Sequence, residues 1–120
     1  MAIDITVKIG GEAGQGLQTV GDLLAAVCRE AGLYIMAIND FESRIRGGHN
    51  FFQIRISDHP VLAPNHQVNL LIALNPETHG LHKDQLLEGG LAIVDSKEPG
   101  TESMLAVDMT GLAQEAGGRV

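Results

Sequence analysis

The residues with the most chemistry in a short span are the glycines of IGGEAGQGLQTVGDLL, Ile9 to Leu24. A glycine-dense turn leaves backbone N–H groups free, and a helix N-terminus directly after it favours an anion. A nucleotide cradle is therefore the first chemistry to test. A Walker A loop has the spacing of Gly11 and Gly16 but then needs Lys and Ser or Thr, where this chain has Leu17 and Gln18. Without that lysine there is no charge for a β/γ-phosphate, and nucleoside triphosphate hydrolysis is disfavoured. The dinucleotide fingerprint fits Gly14 and Gly16 but finds Thr19 at its third glycine position. Asp40, the candidate ribose-binding acid, lies 24 residues past Gly16 and inside a different motif. Two readings stay open: an anion or interface contact by Gly11, Gly14, Gln15, Gly16 and Thr19, or glycines that only permit a tight turn with positive φ.

The second dense stretch is NDFESRIRGGHNFFQIRIS, Asn39 to Ser57. Asp40, Glu42, Arg44 and Arg46 fall near the end of a predicted strand, where ligands approach open α/β sheets. Such a set of carboxylates and guanidiniums can orient an anionic group or form an interchain ion-pair network. It can equally be a solvated loop with local salt bridges. His79 and His82 stand three apart near Asp84, a metal-compatible spacing, but no third ligand is close and solvated helix polarity is favoured. Glu12 has the chemistry of a general base without a visible partner. Cys28 falls inside a helical pattern, where a buried small hydrophobe is favoured over a nucleophile.

The elements that must position these groups follow from periodicity. Ile3, Ile5, Val7 and Ile9 alternate with Asp4, Thr6 and Lys8, which predicts a strand with one buried face. Leu17, Val20, Leu24, Val27 and Ala31 recur at helical steps before Gly32, predicting a helix from about Leu17 to Ala31. Tyr34 to Ile38 and Phe51 to Ile56 are short strands around the RGGH loop. The aliphatic run VNLLIAL, Val68 to Leu74, fits a central strand covered on both faces. Pro76, Glu77 and Thr78 open a helix carried by Leu81, Gln85 and Leu86 to a stop at Gly89. Leu91 to Val94 and Met104 to Val107 are two more strands, and Thr110 to Ala116 starts a last helix. This order implies an α/β fold, a three-layer α/β/α arrangement with a mostly parallel, mixed sheet. LAQEAGGRV follows a helix signal with no capping segment, so the domain is expected to be incomplete at its C-terminus.

The totals agree. A chain of 120 residues forms one domain and can bury roughly two-thirds of its unfolded surface. With 44% apolar and 3% aromatic residues, the interior should be aliphatic. Eight basic residues against fifteen acidic ones, a net charge of -7, give no support for a phosphate-backbone footprint, so no nucleic acid partner is expected. A single cysteine excludes an internal disulfide, a Cys-rich zinc site and a self-contained iron–sulfur cluster. The opening MAIDITVKIG lacks a signal-peptide core and no run approaches a membrane span, so a cytoplasmic protein without a membrane partner is expected.

With both motifs in view, the sequence resembles the gamma domain of the 2-oxoacid:ferredoxin oxidoreductases, the pyruvate and 2-oxoglutarate synthase family. The glycine loop matches the family's Gly-x-Gly-Gly-Gln-Gly loop and its following helix, with Ala13 where a glycine is common. ESRIRGGHNFFQIRIS matches an acidic residue, Arg-Gly-Gly and an Arg-Ile-Ser strand end, and VNLLIALNPET extends the match toward Asp95. The wording FESRIRGGHNFF is most similar to enzymes in which this domain begins a long alpha subunit, often 2-oxoglutarate synthases. The resemblance implies a component of an enzyme that decarboxylates a 2-oxoacid on thiamine diphosphate, passes electrons through iron–sulfur clusters to ferredoxin and forms an acyl-coenzyme A. Thiamine diphosphate, Mg and the clusters are then expected on the alpha and beta catalytic subunits or domains, the isolated chain is inactive, and it has no catalytic or metal residues of its own. Gly11, Gly14, Gln15, Gly16, Thr19, Arg44 and Arg46 become the candidate anion or coenzyme A contacts. The competing reading is a stand-alone nucleotide- or phosphate-binding α/β module.

Overall fold

The computed structural model describes residues 3–12, 17–41, 49–95 and 104–117. In chain order they form β1 (Asp4–Glu12), α1 (Leu17–Glu30), β2 (Tyr34–Phe41), β3 (His49–Ser57), β4 (Val68–Ala73), α2 (Pro76–His82), β5 (Leu86–Asp95), β6 (Met104–Val107) and α3 (Met109–Glu115). A 3₁₀ turn, Lys83–Gln85, joins α2 to β5. All the strands lie in one sheet ordered β2-β3-β1-β4-β5-β6. β1, β4, β5 and β6 pair in parallel, while β3 runs antiparallel to both β1 and β2. The mixed, mostly parallel sheet expected from the sequence is therefore observed. α1 packs with Val7, Ile9, Phe52 and Ile54 on one face, and α2 carries His82 to Lys8 on the other, giving three layers.

The reading of β1 as a strand with one buried face is corrected. Val7 and Ile9 are buried as expected, but Thr6 and Lys8 on the alternate face are only 0% and 3% exposed. The cause is position: β1 lies inside the sheet between β3 and β4, where both faces are covered. Residues 58–67 close over the second face, held by Gln53 Nε2 donating to the Asn65 carbonyl (2.7 Å) and Arg55 Nη1 donating to that of Ala63 (3.0 Å). Arg55 also grips both carboxylate oxygens of Asp4, at 2.9 and 2.7 Å, which holds that carboxyl below the usual range.

The predicted stripe of α1 is corrected too. The helix buries Leu17, Gly21, Ala25 and Cys28, whereas Val20, Leu23 and Val27 are 48%, 66% and 58% exposed. Small residues let the helix axis approach the sheet, and a Cβ added at Gly21 would collide with the Phe52 ring. Helix α2 starts as predicted, with the Asn75 side chain accepting from Thr78 N–H. It ends at His82, so Leu86 and Gly89 belong to β5 rather than to a helix and its stop. Gly89 does have positive φ (+81°), but it serves an irregularity in the pairing of β5 with β4. Positive φ marks a strand bulge as readily as a helix end.

Candidate functional site at the carboxyl edge of the sheet

β1 and β2 point the same way, so their carboxyl ends meet the start of β3 at one edge. Glu12 is opposite His49, Gly11 is opposite Asn50, and Asn50 is opposite Phe41. The chain therefore leaves β1 toward the glycine loop and leaves β2 toward the Arg-Gly-Gly loop from positions two strands, roughly 10 Å, apart. The topology brings the roots of both sequence motifs together. Gly14, Gln15, Gly16, Glu42, Arg44 and Arg46 lie outside the described residues, as do the side chains of Glu12 and Asp40.

The described parts of this edge are ordered by short polar contacts. Gly11 is buried at the end of β1. The Gly10 carbonyl accepts from Leu74 N–H at 2.9 Å, tying β1 to the chain leaving β4. In the first turn of α1, Leu17 is buried while Gln18 and Thr19 are exposed at the edge. Gln18 Oε1 accepts from Asn39 Nδ2 at 2.9 Å, and Gln18 Nε2 donates to Asp22 Oδ1 at 2.7 Å. This chain of amides pins the start of α1 to the end of β2, so the two loops emerge from a braced frame. In the sequence, Gln18 stands out only as a residue that breaks the Walker pattern. The Gln18–Asp22 spacing of four was its available signal, whereas Asn39 needed the strand pairing.

Farther along the edge, the other helix starts are closed by their own side chains. Asn75 Oδ1 accepts from both Thr78 N–H (2.9 Å) and Thr78 Oγ1 (2.7 Å). Asp108 Oδ1 accepts from Gly111 N–H at 3.0 Å. Asp95, at the end of β5, accepts from Thr110 Oγ1 (2.6 Å) and Thr110 N–H (3.2 Å), and that hydroxyl holds its carboxyl below the usual range. The 14-residue α1 has no acidic residue in its first turn, so the positive end of its dipole is not offset from within the helix.

The remaining candidates lie elsewhere. Cys28 is a free thiol buried with Ala25 and Ile54, the packing role expected of it. His82 is buried beside Lys8, while His79 lines a separate open cavity of about 490 Å³ with Lys83 and Asp84. Among the described residues no group of three side chains could hold a metal ion. Also among them, no helix is long and apolar enough to cross a membrane.

Fold and edge together define a three-layer α/β domain that presents its loops at the carboxyl ends of a mixed sheet. Within that class, the chain belongs to the Pyruvate ferredoxin/flavodoxin oxidoreductase family, which it matches over residues 6–120. It is 32% identical over 74% of its length to the 2-oxoglutarate synthase subunit KorC of Methanothermobacter thermautotrophicus, of which it covers 48%. A 2-oxoacid:ferredoxin oxidoreductase subunit alpha of Sulfolobus sp is 33% identical over 58% of the chain, which covers 11% of that protein. The chain thus spans a small part of the alpha subunits and about half of KorC. Among solved structures, 2-oxoglutarate:ferredoxin oxidoreductase from Magnetococcus marinus, with 2-oxoglutarate, coenzyme A and succinyl-CoA bound, superposes with a TM-score of 0.83 at 28% identity. That alignment takes in 96% of this chain and 22% of the other. The gamma subunit of a keto/oxoacid ferredoxin oxidoreductase from Geobacter sulfurreducens gives 0.74 at 29% identity, over 98% of this chain and 68% of that one. The family drawn from the two motifs is the one found, over a longer stretch than the motifs cover.

Proposed function

We propose that this chain is the gamma-type unit of a thiamine diphosphate-dependent 2-oxoacid:ferredoxin oxidoreductase, an enzyme that converts a 2-oxoacid to an acyl-coenzyme A. In this reading the catalytic alpha and beta domains hold thiamine diphosphate, Mg and the iron–sulfur clusters, ferredoxin takes the electrons, and the assembly is cytoplasmic. Cys28 does not fit a cluster: it is the chain's one cysteine and is buried under α1. Assembly is supported by the apolar stripe Val20, Leu23 and Val27, left exposed on the outside of α1.

The observation that carries a ligand role is the convergence of the glycine-loop and Arg-Gly-Gly-loop roots at one sheet edge. There, backbone N–H groups, the α1 dipole, Thr19 and the guanidiniums of Arg44 and Arg46 would orient an anionic part of coenzyme A. Their work is positioning: they fix where the phosphates sit and so where the thiol arrives. The test is coenzyme A affinity of the assembled enzyme carrying Arg46→Ala or Thr19→Ala. Loss of one charge-assisted hydrogen bond at Arg46 should weaken binding about tenfold. Unchanged affinity in an intact assembly would remove the ligand role and leave the edge as an interface.

A further inference from the structure

Lys8 is the least expected side chain in the fold. It stands in the middle of β1 and is 3% exposed. Its Nζ donates to Gln85 Oε1 at 2.6 Å and lies 3.4 Å from His82 Nδ1. The Phe51 ring lies beneath it, with the ammonium 4.3 Å from the ring centroid. Among the described residues no carboxylate pairs with it, and burial holds its pKa below the ordinary value. Among the described residues, then, this buried ammonium is met by an amide oxygen, an imidazole nitrogen and a ring face, with no carboxylate as counter-charge.

The space next to it can supply one. Lys8 lines a cavity of about 230 Å³, together with Gln53, His66 and Gln85 as polar groups and Ile38 and Phe51 as apolar wall. At roughly 30 Å³ of liquid volume per water, such a space holds several waters or one small organic molecule. The roof is braced rather than loose, because Gln53 Nε2 bonds the Asn65 carbonyl in the segment that covers it.

We infer that this cavity is a binding site for a compact organic monocarboxylate, whose oxygens take the remaining donor capacity of Lys8 and whose carbon body lies against Ile38 and Phe51. The charge count selects the class. One ammonium balances one carboxylate, whereas a phosphate dianion would bring a second negative charge to a pocket in which Lys8 is the one buried lysine or arginine among the described residues. The apolar wall then separates an organic acid from an inorganic anion of the same charge. The inference does not rest on the oxidoreductase reading, since it uses only residues of this chain.

The test uses the full 120-residue chain with ¹⁵N-labelled lysine, titrated with propionate, and with phosphate and chloride at matched ionic strength. The Lys8 ammonium resonance should shift and saturate with propionate only. At tenfold excess over the dissociation constant, the thermal midpoint should rise by about 5 °C, and Lys8→Met should abolish the rise. Should Lys8→Met not fold, the wild-type resonance decides alone. A resonance that does not respond to propionate, that responds equally to phosphate or chloride, or a midpoint rise retained in Lys8→Met would overturn the assignment.

Discussion

The two faces of β1 are buried by opposite means. Toward α1, Val7 and Ile9 join Leu17, Ala25, Cys28, Phe52, Ile54 and Ile56 in an aliphatic cluster closed by small helix residues. Toward α2 and residues 58–67, the same strand buries Thr6 and Lys8, with Gln53 of β3 beside them. One face depends on shape and the other on satisfying polar groups, and substitutions on the two should behave differently.

The largest effect belongs to the aliphatic face. Ile54 is fully buried, and Ile54→Ala should cost about 3 kcal/mol in urea unfolding of the full chain through lost burial and a cavity. Gly21→Val should cost about 2 kcal/mol, because the Phe52 ring occupies the space a side chain would need. A loss below roughly 0.5 kcal/mol for either would mean that α1 is not seated as described.

On the polar face the sign should change. Lys8→Met combined with Gln85→Leu removes both partners of the 2.6 Å bond, so the double variant should fold and gain about 1 kcal/mol at neutral pH. The pH dependence sharpens this. Because the folded pKa of Lys8 lies below its ordinary 10.5, the unfolded chain binds more protons between those values, and stability rises with pH there. The penalty is full below the lowered pKa and fades toward the ordinary one, so the advantage of the double variant should shrink in alkali. A loss comparable to Ile54→Ala would show that Lys8 packs as a structural group like those opposite it.

The smallest effect is expected away from both faces, where Asp95 accepts from Thr110. Thr110→Val should cost about 0.5 kcal/mol at neutral pH, since the pair is only partly shielded. The folded pKa of Asp95 is lowered from 3.8, so its stabilisation is present above that value and is lost as pH falls through the lowered one. Wild type and variant should therefore converge in acid; a constant difference would assign the cost to packing.

These contrasts trace what the sequence could reveal. VNLLIAL declared a strand covered on both faces because every residue but Asn69 is aliphatic, and the structure places β4 inside the sheet. Asp4, Thr6 and Lys8 declared the reverse for β1, because alternation cannot distinguish polar residues facing water from polar residues facing a polar interior. Hydrophobicity alone puts Val20 and Val27 in the core of α1, yet Gly21, Ala25 and Cys28 face the sheet because close approach selects for small size. At the edge, the two loops could be named from sequence, but their adjacency needed β3 to run antiparallel between β1 and β2. The Lys8 cavity was hidden because Gln85 lies 77 residues away and Asn65 sits in a segment without periodicity.

The most direct test of the oxidoreductase reading is to purify the natively expressed chain under non-denaturing conditions and measure the mass, cofactor content and absorbance of what is recovered. The account predicts a complex larger than this chain, containing thiamine diphosphate, with the brown absorbance of iron–sulfur clusters and 2-oxoacid-dependent reduction of ferredoxin. A chain recovered alone, with neither cofactor nor 2-oxoacid-dependent electron transfer, would contradict it.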